Sequence, residues 1–291
     1  MYYLIFNPTA GAGRSKKTLQ IVEEYCKARG KKYELAQTER IGHATQLASS
    51  AVGKGYSGII SVGGDGTILE IAEALKDTDE NLGVVPAGTG NDFKYAINVP
   101  QDTKGALDVI FAGNTKRIDI GVLNDDKCFL NIVGTGFDVD VIKNTNKVRR
   151  FLTGGGAYYI GIVLSIFGYK NARLEITMDG KTIKRTALLI AVANGQCYGG
   201  GLFVNPSADL TNGKLNFIVI NKIAKYKILL ELPKLQKAQP ELVKELESFS
   251  CSEVTITSEK PRIFNVDGDL FGQTPMNIKV KSKALNVFCP K

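Results

Sequence analysis

The first third of the chain alternates short apolar runs with segments of helical periodicity. Apolar runs at Tyr2–Phe6, Ile59–Val62 and Leu82–Val85 have the length and composition of strands. Between them, Ser15–Arg29 and Thr67–Lys76 place apolar residues at spacings of three and four, which is typical of helices with one buried face. This alternation predicts an α/β domain with a parallel sheet and helices on its faces.

After about residue 115 the pattern changes to short strand candidates separated by turn residues. Asp179-Gly180 lies between two such runs and is a hairpin signal. Two stretches with helical patterns interrupt the strands, roughly Tyr158–Phe167 and Ala224–Phe249, the second of them broken near its prolines. This part of the chain therefore predicts an antiparallel, mostly β domain, either a sandwich or a barrel. A length of 291 residues agrees with two domains at ~100–200 residues each.

Three glycine-rich loops follow apolar strand runs in the α/β part. They are Asn7–Gly13 (NPTAGAG), Gly63–Thr67 (GGDGT) and Pro86–Phe93 (PAGTGNDF). Glycines let a backbone approach a ligand closely, and the free amides of a helix start attract anions, so the loops predict a phosphate site. Asp65, inside GGDGT, would repel a phosphate unless Mg²⁺ lies between them. The alternative is that each loop is an ordinary turn, with Asp65 as a helix cap.

Composition and motifs exclude several classes of protein. The five cysteines are far apart without a CxxC pair, and His43 is the single histidine, which argues against zinc fingers, disulfide scaffolds and histidine-based hydrolases. The sequence has no GxxxxGK[ST], and its GxGxxG at residues 53–58 precedes a strand instead of following one. The net charge of +8 favours anionic partners, but basic and aromatic residues are not interleaved, so we predict no nucleic-acid binding.

Acidic residues in the later part of the chain are candidates for chemistry. Asp267 and Asp269 end a strand run in the segment NVDGD. A carboxylate there can act as the general base for a hydroxyl that attacks phosphorus, and a plain turn is the alternative. Asp119 lies between apolar neighbours at the junction of the two parts, where it either caps a local network or orients another polar group.

The sequence predicts a cytoplasmic protein that can touch the inner face of a membrane. Its N-terminal apolar run is too short for a signal peptide, and the run at Ala157–Tyr169 falls short of the ~20 residues that span a bilayer. The stretch Phe151–Tyr169 follows Lys147, Arg149 and Arg150, which suit an anionic membrane surface. This stretch is a candidate membrane-facing element, with a plain core helix as the alternative.

The motifs GGDGT, PAGTGNDF, NPTAG and NVDGD together resemble those of the bacterial soluble diacylglycerol kinase or YegS/BmrU-type lipid kinase family, which is related to sphingosine kinases and NAD kinases. The resemblance runs nearly end to end. It implies a Rossmann-like α/β ATP-binding domain, residues 1–119, and a β-sandwich lipid-substrate domain, residues 120–281, with a strand at about 282–291 returning to the first. It also implies ATP and Mg²⁺ as cofactors, a lipid alcohol such as diacylglycerol as the acceptor, and a homodimer.

The resemblance further implies roles for individual residues. Nucleotide contacts are expected from the loops and from the segment QTERIG, at Asn7, Pro8, Thr9, Ala10, Gly11, Thr38, Gly64, Asp65, Gly66, Thr67, Ile68, Leu69, Glu70 and Thr89. Asp267 matches the family's catalytic base, with Asp269 as a second candidate. Asp65 positions or binds the catalytic Mg²⁺, and Asp119 matches an aspartate that supports its network.

Two positions depart from the family's pattern. The family often holds a structural Mg²⁺ with an acidic residue in the segment of Asp209 and Lys214, where this chain has Asn212, a weaker ligand. Leu69 stands where the family usually has an asparagine. These departures keep open a catalytically weak lipid- or nucleotide-binding module, and GGDGT keeps open an NAD kinase-like enzyme. The full set of motifs favours the lipid kinase.

Overall fold

The computed structural model describes residues 1–148 and 155–291. The described chain divides into two compact units: residues 1–119 with 282–291 form the first, and residues 120–281 form the second. The helices are α1 (Ser15–Ala28), α2 (His43–Ala51), α3 (Asp65–Leu75), α4 (Phe93–Ala96), α5 (Thr103–Ala112), α6 (Phe137–Val148), α7 (Gly155–Gly168) and α8 (Lys225–Gln236), with short 3-10 turns at Ala10–Gly13 and Pro240–Leu242. The strands are β1 (Tyr2–Phe6), β2 (Tyr33–Gln37), β3 (Ile59–Gly63), β4 (Asn81–Pro86), β5 (Thr115–Leu123), β6 (Lys127–Phe129), β7 (Ile132–Gly136), β8 (Ala172–Met178), β9 (Lys181–Ala193), β10 (Cys197–Tyr198), β11 (Leu202–Phe203), β12 (Leu215–Asn221), β13 (Leu246–Cys251), β14 (Glu253–Ser258), β15 (Ile263–Val266), β16 (Asp269–Gln273) and β17 (Met276–Phe288).

The first unit is built on a parallel sheet. Its strands lie in the order β2-β1-β3-β4, and the last residues of β17 pair in parallel with β4. Leu4, Ile5 and Ile59 are fully buried, as expected for parallel strands that helices cover. Val22 of α1 and Leu107 of α5 belong to the core beside this sheet. The predicted α/β domain with a parallel sheet is confirmed.

The second unit is built on antiparallel strands. They lie in the order β16-β15-β7-β9-β8-β14-β17, and β12 pairs with both β9 and β13. Asp179 and Gly180 join β8 to β9 with φ angles of 44° and 83°, the left-handed conformation that tight hairpin turns require. The predicted mostly antiparallel domain, with a hairpin at this place, is confirmed.

Strand β12 shows how the second unit forms cores on both faces of its sheet. Phe217 and Val219 point into one core, which is built from strands. Ile218 and Ile220 alternate with them and point into the other core, which includes Ile162 of α7 and residues of α6 and α8. The sheet thus has a strand-covered face and a helix-covered face.

The helix predicted over Ala224–Phe249 is wrong in its second half. Helix α8 ends at Gln236, and Leu246–Cys251 is the strand β13, in which Phe249 pairs with Phe217 of β12. A short 3-10 turn beginning at Pro240 separates the two elements, whereas the predicted break near Pro233 is wrong, because α8 continues through that residue.

Helix α7 covers the region where a membrane-facing element was predicted. Arg149, Arg150 and the first residues of the predicted stretch, 151–154, lie outside the described residues. Among the described helices, none combines the length and the apolar character needed to cross a bilayer.

Candidate active site

The three predicted phosphate loops come together at the carboxyl ends of β1, β3 and β4. An ideal Cβ at Gly11, where φ is 60°, would lie 2.5 Å from the carbonyl oxygen of Ala87. A Cβ at Gly88 would lie 2.5 Å from Cα of Gly64. The first and second loops therefore both contact the third through bare backbone, and glycine is required because a side chain would collide there.

Hydrogen bonds hold the loops in this arrangement. Asn7 Nδ2 donates to Thr67 Oγ1 at 2.9 Å, which joins the first loop to α3. Asn7 Oδ1 accepts from the amide and the hydroxyl of Thr9 at 3.0 and 2.8 Å. The amide of Ala87 donates to the carbonyl of Gly63 at 2.8 Å. Three predicted nucleotide contacts, Asn7, Thr9 and Thr67, thus belong to one network.

Two helix N-termini open onto these loops. Helices α1 and α3 begin at Ser15 and Asp65, and within the described part of the chain neither start receives a hydrogen bond from a side-chain cap. By contrast, the carboxylate of Glu70 accepts from the amides of Gly42 and Ala44 at 2.8 and 3.0 Å, which satisfies the start of α2. Because the first amides of α1 and α3 have no such acceptor, both starts suit an anion such as phosphate.

The remaining predicted nucleotide contacts differ in exposure. Thr89 is exposed, whereas Thr38 is buried where the chain leaves β2. Ile68 and Leu69 are buried in the core, so a nucleotide could contact only their backbone. The carboxylate of Glu70 is occupied by its hydrogen bonds to the amides at the start of α2. Gly11 is buried, whereas Pro8, Ala10, Gly64 and Gly66 keep some exposure.

Asp65 is the acidic centre of the loop cluster. Its Oδ1 accepts a hydrogen bond from the amide of Phe93 at 3.1 Å. An ideal Cβ at Gly90 would lie 3.1 Å from Oδ2 of Asp65 and 3.4 Å from Oδ2 of Asp92, so the two carboxylates are close together. Burial, followed by the charge of Asp92, raises the pKa of Asp65 to about 6. A divalent cation would offset the repulsion between the carboxylates, and the residues present therefore fit Mg²⁺.

Asp119 is buried on β5, within the first unit. Its Oδ1 accepts a hydrogen bond from the amide of Lys283 at 2.8 Å. Lys283 has a φ of 50°, so this bond holds an irregular residue of β17 in place. Of the two roles considered for Asp119, this contact fits the capping of a local network. That Asp119 supports the network of Asp65 stays a prediction.

Asp267 occupies the tight turn between β15 and β16 in the second unit, with a φ of 47°. Its Oδ2 accepts from the amide of Leu130 at 2.7 Å, and its Oδ1 accepts from the amides of Asn131 and Ile132 at 2.9 and 2.8 Å. Three amides therefore fix the orientation of the carboxylate and stabilise its charge. Asp267 keeps partial exposure, and Asp269, at the start of β16, is exposed.

The segment predicted to hold a structural Mg²⁺ forms local turns instead of a cation cage. Asp209 Oδ1 accepts from the amide and the hydroxyl of Thr211 at 2.9 and 2.7 Å. Asn212 Oδ1 accepts from the amide of Lys214 at 2.9 Å, and Lys214 Nζ donates to Ser252 Oγ at 2.7 Å. No group of three or more His, Cys, Asp or Glu side chains that could hold a metal occurs among the described residues. The donor set here does not fit Mg²⁺.

A second candidate site is a cavity in the second unit, on the face covered by α6, α7 and α8. Its empty space, counting the part open to solvent, is about 570 Å³. Aliphatic side chains make up most of the wall, among them Val141, Ile162, Leu189, Ile220 and Leu232. A wall of this composition suits a hydrocarbon chain and not a nucleotide.

A few polar side chains line this cavity. Asp138 is buried in the first turn of α6, and its Oδ2 accepts from Asn265 Nδ2 at 3.2 Å. Burial raises the pKa of Asp138 to about 7, although the Asn265 amide opposes that shift. Tyr158 and Tyr198 line the same space, and burial raises the pKa of Tyr198 well above its ordinary value. Glu231 also lines the cavity and forms an ion pair with Lys234 of the same helix.

The sequence reasoning missed Asp92 and Asp138. Asp92 lies in PAGTGNDF, where Thr89 alone was predicted as a contact. An acidic residue directly before a helix, in the loop that follows β4, was a usable signal. Asp138 follows the glycine-rich end of β7 in GTGFDVD. Its burial depends on packing between distant segments, so no local pattern marks it.

Comparison with known proteins identifies the family. Residues 1–123 match the family model of the diacylglycerol kinase catalytic domain, and residues 131–289 match that of the YegS C-terminal NAD kinase beta sandwich-like domain. A diacylglycerol kinase of Staphylococcus aureus strain bovine RF122 / ET3-1 is 30% identical over 293 residues, which cover 99% of this chain and 91% of the relative.

Solved structures agree with this assignment. A crystal structure of a diacylglycerol kinase-like protein from Bacillus anthracis strain Sterne matches with a TM-score of 0.82 and 25% identity, over 99% of this chain and 95% of that one. A crystal structure of a diacylglycerol kinase from the same organism, at 22% identity and a TM-score of 0.75 over 99% and 96% of the two chains, shows the same fold. With both family models and a full-length relative in agreement, the chain belongs to the YegS-type diacylglycerol kinase family, and it is a lipid kinase that uses ATP.

Proposed function

We propose that this kinase transfers the γ-phosphoryl group of ATP to the hydroxyl of diacylglycerol. The observation that carries the proposal is the meeting of three glycine-rich loops at the uncapped starts of α1 and α3. Backbone amides at such starts bind phosphate oxygens, and Gly11, Gly64 and Gly88 let the three loops pack closely against one another beside these starts. The first unit is therefore the ATP-binding domain of the proposal.

The reaction is proposed to need Mg²⁺ at the carboxylates of Asp65 and Asp92. Burial and mutual repulsion make two neighbouring carboxylates unfavourable in the absence of a cation, as the raised pKa of Asp65 indicates. When bound there, Mg²⁺ neutralises charge on the phosphates. The amide of Phe93, which donates to Asp65, keeps one carboxylate oxygen in a fixed direction.

Asp267 is proposed to accept the proton of the lipid hydroxyl as the oxygen attacks phosphorus. A general base must be ionised and correctly oriented, and the three amides of residues 130–132 supply both conditions. Asp269 is the weaker candidate for two reasons. Its side chain is exposed, and the amides of residues 130–132 bond to Asp267 instead.

The second unit is proposed to hold the lipid, with an acyl chain in the aliphatic cavity beside α6, α7 and α8. Apolar burial gives most of the binding energy of such a chain, about 0.8 kcal/mol for each buried methylene. The polar groups of Asp138, Tyr158 and Tyr198 are the candidates for contacts to the glycerol end.

The decisive assay is transfer of label from γ-labelled ATP, with Mg²⁺, to lipid alcohols dispersed in detergent, with NAD⁺ included as an acceptor. We expect labelled phosphatidic acid from diacylglycerol. Labelled NADP⁺ would overturn the proposal in favour of the NAD kinase-like alternative. ATP binding without transfer to any acceptor would favour the catalytically weak binding module.

The role of Asp267 is tested by Asp267→Asn, with Asp269→Asn as the matched control in the same turn. Loss of a general base lowers kcat by about 10²–10⁴-fold. We expect a loss on this scale for Asp267→Asn, with unchanged ATP binding, and a change of at most a few fold for Asp269→Asn. The reverse order of effects would transfer the role to Asp269.

The chain is further proposed to work at an anionic membrane surface through exposed side chains of α7 and α8. Phe167, Tyr226 and Leu230 are 77%, 68% and 64% exposed, an unusual set for neighbouring helices. Lys225 Nζ donates to the carbonyl of Phe167 at 3.0 Å, which joins the two helices, and exposed Lys170 adds positive charge next to them. Apolar side chains flanked by lysines are typical of interfacial binding to acidic lipids.

Sedimentation with vesicles tests this surface. We expect binding to phosphatidylcholine vesicles that contain phosphatidylglycerol, weaker binding at high salt, and loss of binding in Phe167→Ser/Leu230→Ser. Ile41→Ser, at a residue 94% exposed in the first unit, is the control and should keep binding. Equal binding by all three proteins would refute the proposed surface. The predicted homodimer is tested separately by sedimentation equilibrium of the protein without lipid.

A further inference from the structure

Asp138 brings a carboxyl group into an apolar cavity and leaves one of its oxygens unsatisfied. The residue is 4% exposed. Its Oδ2 accepts from Asn265 Nδ2, whereas its Oδ1 has no hydrogen-bond partner in the part of the chain that the structure describes. A buried polar atom without a partner is unfavourable, so a ligand group that pairs with it gains affinity.

The neighbouring sheet holds one of the two carboxyl oxygens of Asp138. An ideal Cβ at Gly134 of β7 would lie 2.4 Å from Oδ2 of Asp138, so only glycine admits the carboxyl at this place. Asn265, on β15, holds the same oxygen. Because Oδ2 is turned toward the sheet and bonded to Asn265, Oδ1 is the oxygen of Asp138 that remains for a ligand in the cavity that this residue lines.

The surroundings favour the neutral form of this carboxyl. Burial is the main cause of a pKa raised to about 7, and Asp140 on the same helix raises it slightly. The other titratable groups that face the space are Tyr158, Tyr198 and Glu231, and Glu231 is paired with Lys234. A protonated carboxyl in an apolar site donates a strong hydrogen bond, in contrast to an ionised one, which only accepts.

Asn265 links this carboxyl to the turn that holds the proposed base. While its Nδ2 donates to Asp138, its Oδ1 accepts from the amide of Gly268 at 2.9 Å. Gly268 directly follows Asp267 in the chain. Asn265 therefore contacts both the carboxyl group that would bind the lipid and the turn that carries the proposed base.

We propose that Asp138 donates a hydrogen bond from its carboxyl group to an ester carbonyl of the lipid substrate and so determines specificity for acylglycerols. The inference rests on the proposed function, because it names the group of the lipid that the same enzyme recognises. It selects lipids with an ester carbonyl over lipid alcohols that carry the same hydroxyl and similar chains without one.

The test compares dioleoylglycerol with its diether analogue, which has the same free hydroxyl and chains but no carbonyl groups. Wild type is expected to show a KM about tenfold lower for the ester, with similar kcat for both lipids, since one hydrogen bond to a buried donor is at stake. Asp138→Ala should lose this preference and should treat the ester as it treats the ether. Asp138→Asn puts an amide donor where Oδ1 lies and should retain the preference. Asp140→Asn, on the same helix, is the control for a change of charge.

Each outcome separates the inference from the proposed function. If wild type phosphorylates the ester and the ether with equal KM, the inference is overturned while the lipid kinase stands. This comparison uses the wild-type protein alone, so it does not depend on the folding of a variant. If Asp138→Asn loses the preference together with Asp138→Ala, a hydrogen-bond donor at this position does not create the preference, and the donor role is overturned. If neither glycerolipid is phosphorylated while another lipid alcohol is, the proposed substrate fails, and the inference fails with it.

Discussion

Replacing Asp138 by asparagine should change how the stability of the protein depends on pH. The carboxyl has a pKa of about 7 in the folded chain and 3.8 in the unfolded reference, because burial penalises its charged form. Below about pH 4 both states hold the proton. Between about pH 4 and pH 7 the folded chain keeps a proton that the unfolded chain has released, so the free energy of unfolding falls as pH rises. Asparagine does not titrate, and Asp138→Asn should lack this decline.

The magnitude follows from the difference between the two pKa values. About 3 pKa units at ~1.36 kcal/mol per unit correspond to a total of about 4 kcal/mol. Between about pH 5 and pH 8, where the experiment is practical, the same expression gives about 2.5 kcal/mol. Asp138→Asn should therefore gain about 2.5 kcal/mol relative to wild type across this interval, whatever offset separates the two proteins at pH 5.

The assay is urea unfolding at several pH values, followed by circular dichroism because the chain contains no tryptophan. Each transition must be checked for separate unfolding of the two units before free energies are compared. Asp140→Asn, which removes a charge from the same helix turn, should keep most of the decline because the buried carboxyl of Asp138 is still present. Parallel curves for wild type and Asp138→Asn would refute the reasoning, since they would mean that Asp138 titrates alike in both states.

Further predictions concern the loops, the cation and the core. Gly88→Ala should raise the KM for ATP at least tenfold in steady-state kinetics, because its Cβ would lie 2.5 Å from Cα of Gly64. Gly168→Ala is the control and should leave this KM unchanged, because nothing lies within 4 Å of its Cβ. A chelator of divalent cations should abolish phosphoryl transfer and added Mg²⁺ should restore it, and Asp65→Asn should need more Mg²⁺ for half-maximal rate in a titration. Phe217→Ala, at a fully buried position, should lower the free energy of unfolding by about 3–5 kcal/mol, measured by urea unfolding.

Local patterns in the sequence were enough to predict the fold class. Strand runs such as Ile59–Gly63 are continuous, apolar and followed by glycine, which is what a parallel strand buried on both faces requires. The hairpin at Asp179-Gly180 was predictable because its two residues tolerate positive φ. The end of α8 was not predictable, because Leu246–Cys251 becomes a strand only through its pairing with β12, a contact between segments about thirty residues apart.

The candidate site divides in the same way. The loop residues Asn7 and Thr67 were predictable because their motifs lie at strand ends, and the structure joins them by a hydrogen bond. Glu70 shows the limit of such reasoning, since its motif position suggested a nucleotide contact while its carboxylate bonds to the start of α2. Asp138 could not be found from its neighbours in sequence, because the wall around it comes from three helices and four strands that are distant in the chain.

Three aspartates of this chain show how one residue type is prepared for different tasks. Asp65 is buried beside Asp92, and a divalent cation would offset the repulsion between the two carboxylates. Asp138 lies in an apolar wall, where burial favours the neutral acid, which can donate. Asp267 receives three amides, which favour its charge and an acceptor role. Environment and not residue type therefore separates these roles: a neighbouring carboxylate for Asp65, apolar burial for Asp138 and backbone donors for Asp267.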